Sequence, residues 1–295
     1  MIGSLDPGQN EQEQRLIERI RREGTNMETI SLFRDMILCH YRSHGRDLPW
    51  RRTVDPYSIL VSEVMLQQTQ VERVAAKYRE FLERFPDFQS LARAPRRDVL
   101  EAWQGLGYNR RAIALHESGE RVVEEYGGRL PADVETLATF PGIGKATASA
   151  ICAYAFNMPV VYIETNIRRI VIHFFFHDRN DVRDSEILPI LQQALYRENP
   201  REWYSALMDY GTILAKRTVN PNRRSAGYSR QSRFEGSDRQ IRGQILSMVL
   251  SEGDVPEERM IRELSQERAR VKRILKDLEK EGFIAESEGV YSCRE

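Results

Sequence analysis

FPGIGKATASAICAYAFNMPVVYIETNIRR, running from Phe140 to Arg169, decides how the chain is read. Pro141-Gly142-Ile143-Gly144 lies between an apolar-periodic segment with Val134, Leu137 and Phe140 and a second with Ala148, Ile151 and Ala155. That spacing predicts two helices joined by a tight hairpin. Glycines at 142 and 144 let the backbone turn with no Cβ in the way and leave bare N–H groups where the second helix begins. Such a helix start favours a phosphate, and Lys145 adds a mobile positive charge beside it. A carboxylate, Glu164, opens the next polar segment. A Gly-x-Gly turn is also an ordinary helix connection, so the rest of the chain has to decide.

Charge and cysteine content set outer bounds. The 295 residues carry 44 basic and 44 acidic side chains, so a polyanionic partner is met by a local patch and not by the whole surface. That length leaves room for two domains with ample core. Cys39, Cys152 and Cys293 are far apart and odd in number, which predicts a reducing compartment and argues against a disulfide framework. No apolar run reaches the length of a membrane span, and the first residues hold no apolar signal core. The expectation is a cytoplasmic protein with no membrane partner.

Residues 1–26, rich in Glu, Gln and Arg, predict a flexible N-terminal arm or a solvated helix. An amphipathic helix follows from Ile30 to Tyr41 with Leu32, Met36 and Ile37 inward, then a loop, Arg46-Asp47-Leu48-Pro49-Trp50-Arg51, imposed by the proline. Asp55-Pro56 starts the next helix, with Asp as cap and Pro at the first helical position. That helix, YSILVSEVMLQQ, carries Glu63 among Ile59, Leu60, Val61, Val64, Met65 and Leu66. A carboxyl group there is either a solvated exception or a partly desolvated group whose raised pKa lets it carry a proton near neutral pH.

Gln67-Gln68-Thr69-Gln70 ends the helix in uncharged donors and acceptors, suited to reading or wedging between bases, or simply a polar helix end. Helical segments continue through SLARAPRRDVLEAW, the turn Gly105-Leu106-Gly107-Tyr108 and RRAIALHESGERVVEEYGG. No stretch before the C-terminus alternates as a strand, so the body reads as all-α. His173 and His177 stand four apart, as helical zinc ligands do, yet they flank Phe174, Phe175 and Phe176 and read as a packed aromatic helix end. Asp209, in ALMDYG, reads as a buried structural hydrogen-bond partner.

In this order and at these separations, LPWR, DPYSILVSEVMLQQTQV, RFPDFQSLARAP, GLGYNRRAIALH, YGGRLP, FPGIGKATASAI and ETNIRR resemble the helix-hairpin-helix DNA glycosylases. The likeness is greatest to the MutY-type adenine glycosylases and covers about residues 30 to 215. It implies two helical lobes with a cleft between them and the hairpin, 140–145, on its rim. It implies that Glu63 is the general acid that protonates the purine and then helps to activate water. Glu164 stands where the family has an aspartate that stabilises the sugar cation, and Asn166 matches the asparagine that follows. Arg46, Leu48, Trp50 and Arg51 match residues around the extruded adenine, with Ser205 nearby. Gln68, between Gln67 and Thr69, matches the side chain that fills the gap in the duplex, and Tyr108 the tyrosine of the strand-separating turn. Gly142, Gly144 and Lys145 would meet the DNA backbone. Breaking an N-glycosidic bond asks for one protonated and one ionised carboxyl, as in glycosidases, and extruding a base is least costly at a mismatch.

Four departures qualify the likeness. Glu164 is one methylene longer than the family's aspartate. Ala146 occupies the position where bifunctional relatives carry a Schiff-base lysine, so the expected reaction is monofunctional. Ala215 stands where the first iron-sulfur cysteine would, and no other ligand follows, so no cofactor is expected. The segment that replaces the cluster holds Lys216, Arg217, Arg223, Arg224, Arg230 and Arg233 with Tyr228 interleaved, and Arg223 and Arg224 are expected on phosphate. Ser205 replaces a longer polar or acidic residue, which leaves the excised base less fixed than the reaction.

Beyond Phe234 three helical patterns and a hairpin, Gly282-Phe283-Ile284 to Gly289-Val290-Tyr291, resemble a winged-helix module whose third helix presents Arg268, Arg270, Lys272 and Arg273. The family's C-terminal 8-oxoguanine recognition domain is expected to be absent, since nothing here has its length or strand content. The expected organisation is a flexible arm, 1–26; a glycosylase domain, 27–216; a basic linker, 217–236; and a winged-helix-like domain, 237–295. The expected function is base excision of adenine opposite guanine or 8-oxoguanine by a monomer bound to double-stranded DNA containing a mismatched or damaged base, in the cytoplasm at the nucleoid. Alternatives are excision of thymine or uracil opposite guanine, and a non-catalytic mismatch binder.

Overall fold

Apolar residues at helical spacing form, in chain order, α1 (Pro7–Glu23), α2 (Met27–His44), α3 (Pro56–Leu66), α4 (Val71–Arg84), α5 (Phe88–Arg93), α6 (Arg96–Trp103), α7 (Arg110–Tyr126), α8 (Val134–Leu137), α9 (Lys145–Phe156), α10 (Thr165–Phe175), α11 (Asp184–Ala194) and α12 (Pro200–Arg217). After them come α13 (Asp238–Glu252), β1 (Val255–Pro256), α14 (Glu257–Leu264), α15 (Arg268–Lys280), β2 (Ile284–Ser287) and β3 (Val290–Cys293). The computed structural model describes residues 7–229 and 233–294. Two units are distinguished: Met1–Ile59 with Ala132–Thr139 and Ile143–Arg230, and Leu60–Pro131 with Phe140–Gly142 and Gln231–Glu295.

The first unit is built on α2, α10 and α12. Phe33 is fully buried and meets Phe174 and Trp203 edge-on at centroid distances of 5.3 and 6.1 Å, the arrangement that aromatic quadrupoles favour. The inward face of α2 is turned from the expected one: Phe33, Met36 and Ile37 are buried, while Leu32 is 39% exposed. The expected flexible arm is, from Pro7, the helix α1, whose stripe of Leu16, Ile17 and Ile20 is buried and which packs on α2 and α10. Its Glu13 is buried among His173 Nε2 (2.9 Å), Tyr210 Oη (2.6 Å) and Arg217 Nη1 (3.3 Å). Burial alone would raise that carboxyl, but the His173 and Tyr210 hydrogen bonds and the Arg217 charge hold it below its ordinary value. His173 is thereby a structural partner, and His177 Nδ1 lies 3.1 Å from the His173 carbonyl.

In the second unit Phe81 and Trp103 stack edge-on at 6.0 Å, with Val64, Leu91, Val99, Leu115 and Val122 buried. Its C-terminal part has the helix order and the antiparallel β1-β3-β2 sheet of a winged helix. Strand β1 is two residues long, too short to leave an alternating pattern in the sequence.

Candidate active site

In the first unit the loop residues and the carboxylate region share one partner, α12. Asp209, 2% exposed, accepts from Arg46 N (2.8 Å), Arg46 Nε (2.6 Å), Arg51 Nη1 (2.8 Å) and Arg51 Nη2 (2.7 Å). Burial would raise the Asp209 carboxyl, but the Arg51 hydrogen bonds and the charges of Arg51 and Arg46 outweigh it and hold the group low. Arg51 Nη2 also reaches the carbonyl of Ser205, whose side chain is buried, at 3.3 Å. Arg46, Arg51, Ser205 and Asp209 are therefore one cluster. Trp50 is buried in the 3-10 turn Pro49–Arg51, and Leu48, half-buried, precedes that turn.

Glu164 is the N-cap of α10: its Oε1 accepts from Asn166 N (2.5 Å) and Ile167 N (2.9 Å). Burial pushes this carboxyl above its ordinary value, against the pull of those two amides and of Arg169 and Arg168. Asn166 Oδ1 accepts from Arg169 Nη1 (2.5 Å), whose other bond goes to the Gly211 carbonyl (2.8 Å). A Cβ on Gly211 would sit 2.5 Å from Asn166 Cβ, so only glycine lets α10 lie this close to α12. Gly144 caps α9 in an extended conformation with no side-chain capping bond, and Lys145 is exposed with Glu135 at 3.1 Å. A pair so open to solvent is weak and leaves the ammonium able to exchange partners.

The second unit holds Glu63, half-buried on α3 between buried Ser62 and Val64. Beyond it the chain turns through Gln68, exposed and left-handed at φ 53°. Gln67 Nε2 donates to the Gly142 carbonyl at 3.2 Å. Of the two hairpin glycines only Gly142 needs to be one: its φ is 68°, and an added Cβ would meet Ala114 Cβ at 2.9 Å, whereas Gly144 has open space. The organiser here is a residue the sequence reading did not single out. Arg111 is buried and donates to the carbonyls of Val64 (2.9 Å), Met65 (2.9 Å), Gln67 (2.5 Å), Leu106 (3.3 Å) and Gly107 (3.0 Å) and to Thr69 Oγ1 (2.9 Å). Burial pushes its guanidinium down to about 10. One side chain thus fixes both the Gln67–Thr69 turn and the Gly105–Tyr108 turn. Tyr108 is exposed, with φ 48°.

The basic linker departs from expectation. Arg224 donates to the carbonyls of Phe176 (2.5 Å), His177 and Ile172 (3.3 Å). It caps the C-terminal end of α10 and is not presented to a phosphate, because carbonyls left unpaired at a helix end draw in a nearby cation. Arg223 is exposed; Arg230 lies outside the described residues. Asn222 Nδ2 bonds to the Thr165 carbonyl at 3.0 Å, and Val182 exchanges two backbone bonds with Arg224 and Ala226 at 2.9 Å. The residues present do not fit a cysteine-held iron-sulfur cluster, which takes four thiolates. The three cysteines lie on α2, α9 and β3, and none is in this segment.

Comparison with known proteins places these residues in context. The sequence profile described as "HhH-GPD superfamily base excision DNA repair protein" matches residues 61–192. An adenine DNA glycosylase of Mycobacterium tuberculosis is 37% identical over 237 residues, covering 72% of this chain and 77% of that protein. The Homo sapiens adenine DNA glycosylase is 36% identical over 197 residues, covering 63% of this chain and 36% of that one. Among solved structures, a thermostable thymine-DNA glycosylase superposes with a TM-score of 0.56 at 25% identity, covering 63% of this chain and 87% of that one. A non-covalent endonuclease III–DNA complex gives 0.52 at 18%, covering 64% of this chain and 85% of that one.

Proposed function

Since the chain belongs to the HhH-GPD superfamily of base excision DNA repair proteins, we propose that it is a monofunctional adenine DNA glycosylase that binds mispaired duplex DNA. The likeness to curated adenine glycosylases across most of the chain carries this reading. In it, adenine opposite guanine or 8-oxoguanine is extruded, Glu63 gives a proton to the purine, and the bond from sugar to base breaks with the electron pair leaving on the base. Glu164 faces the positive charge that develops on the sugar, and water, surrendering a proton to Glu63, closes the reaction to leave an abasic site. Asp209 holds the guanidinium groups of Arg46 and Arg51 in fixed positions, which would give the displaced base a rigid wall. Ala146 offers no nucleophile, so no covalent sugar–enzyme bond forms. In this reading the reaction uses no iron-sulfur cluster, which is supported by the lack of cysteine between Lys216 and Arg233. The likeness to a thymine-DNA glycosylase favours a second reading, thymine opposite guanine.

A panel of duplexes carrying adenine, thymine or uracil opposite each base tests both. Scission at adenine that appears only after alkali is the expected result. Scission at thymine alone favours the second reading, and scission without alkali contradicts a monofunctional enzyme.

A further inference from the structure

Resting on that reading, we propose that the C-terminal winged-helix module is a brace that sets the pose of Tyr108, with Arg239 as the positioning residue. Tyr108 is an exposed aromatic residue held at positive φ, a conformation a non-glycine residue keeps only where its surroundings impose it. Two guanidinium groups supply those surroundings. Arg111 lies 5.5 Å and Arg239 5.6 Å from the ring centroid, and Arg239 Nη1 donates to the phenol oxygen at 2.5 Å. Arg239 belongs to the first turn of α13, so the second contact comes from the module.

The rest of the docking is consistent with a brace. Glu281, at the end of α15, accepts from Arg110 of α7 (3.0 Å), the helix that follows the Tyr108 turn, and from Arg242 of α13 (2.5 Å). Arg97 of α6 donates to the Leu250 carbonyl at 2.9 Å. Meanwhile the third helix, expected to present cations to a duplex, has them engaged inside the module. Arg268 pairs with Glu258, Arg270 with Asp238 (2.7 Å), Lys272 with Glu257 (2.7 Å) and Arg273 with Asp238 (2.6 Å). Each of these four cations thus has an acidic partner within the module, while Arg239 turns its guanidinium to the ring of Tyr108.

The full-length chain and its Arg239→Ala, Arg239→Lys and Tyr108→Phe variants, with the Ala/Phe double variant, are compared for affinity to adenine-mispaired and fully paired duplexes, saturated single-turnover rate and thermal midpoint. Arg239→Ala should weaken mispair affinity about tenfold, the scale of one charge-assisted hydrogen bond with a cation–π contact. That loss should exceed any loss in the saturated rate, Arg239→Lys should recover part of it, and it should shrink in the Tyr108→Phe background. Equal losses on paired and mispaired duplexes, or losses that multiply in the double variant, overturn the brace. If the wild-type chain excises no adenine, the functional reading falls and the brace with it. If it excises adenine and Arg239→Ala behaves like wild type, only the brace falls.

Discussion

Four nitrogen donors converge on the two oxygens of Asp209, and they come from the two arginines expected beside the displaced base. The carboxylate is too buried to be given up without consequence, since removing one partner of a buried ion pair leaves the other charge unpaired. Asp209→Asn keeps the shape and removes the charge. It should cost about 3 kcal/mol in urea unfolding and lower single-turnover excision by roughly a hundredfold through misplaced guanidinium groups. Stability lost with excision unchanged would show that Arg46 and Arg51 serve packing alone. From its place in ALMDYG, Asp209 reads as a buried hydrogen-bond partner, which it is. Its partners lie far away along the chain, so its link to Arg46 and Arg51 had no local signal.

At the scale of elements, legibility follows how local the cause is. The Asp55-Pro56 start of α3 shows up directly, with the Ser58 amide on Asp55 Oδ2 at 2.9 Å, and so does the glycine turn at Gly142. The burial of α1 was hidden because three apolar residues among many charged ones look like a solvated segment until α2 and α10 are there to bury them. Arg111 was hidden because its partners are backbone carbonyls, which every residue has. Arg111→Met should strand those buried acceptors, destabilise the fold by about 3 kcal/mol and admit protease at residues 67–69, which mapped fragments would reveal. The neighbouring arginines of the linker give opposite expectations. Arg223→Ala should lower the slope of log affinity against log salt by about 1. Arg224→Ala should leave that slope alone and cost about 1 kcal/mol of stability, as loss of a helix-end partner does. Equal salt slopes in the two variants would return Arg224 to the DNA surface.

For the whole molecule, desolvated carboxylates of opposite tendency shape the pH response. Glu13 and Asp209 are held below their ordinary values. Their stabilising contributions are complete above about pH 4, the unfolded-state range, and vanish as pH falls through the lowered folded values. Glu164 works the other way: its folded value is raised, so keeping it ionised costs the folded state, and protonation below the raised value recovers that cost. Unfolding free energy should therefore hold level or rise on acidification from pH 7 towards 5, then fall below about pH 4. Glu164→Gln separates the two trends. Both capping bonds end on Oε1, so the amide keeps them while removing the charge that burial penalises. The variant should be at least as stable as wild type at pH 7 and show no rise on acidification. Its excision should drop by roughly a hundredfold or more, because the sugar cation has lost its counter-charge. Under the proposed mechanism, an unfavourable carboxylate at this position would trade stability for activity. Full turnover in Glu164→Gln, or a wild-type stability that declines steadily from pH 7, would contradict that trade and move the charge-stabilising role to another residue.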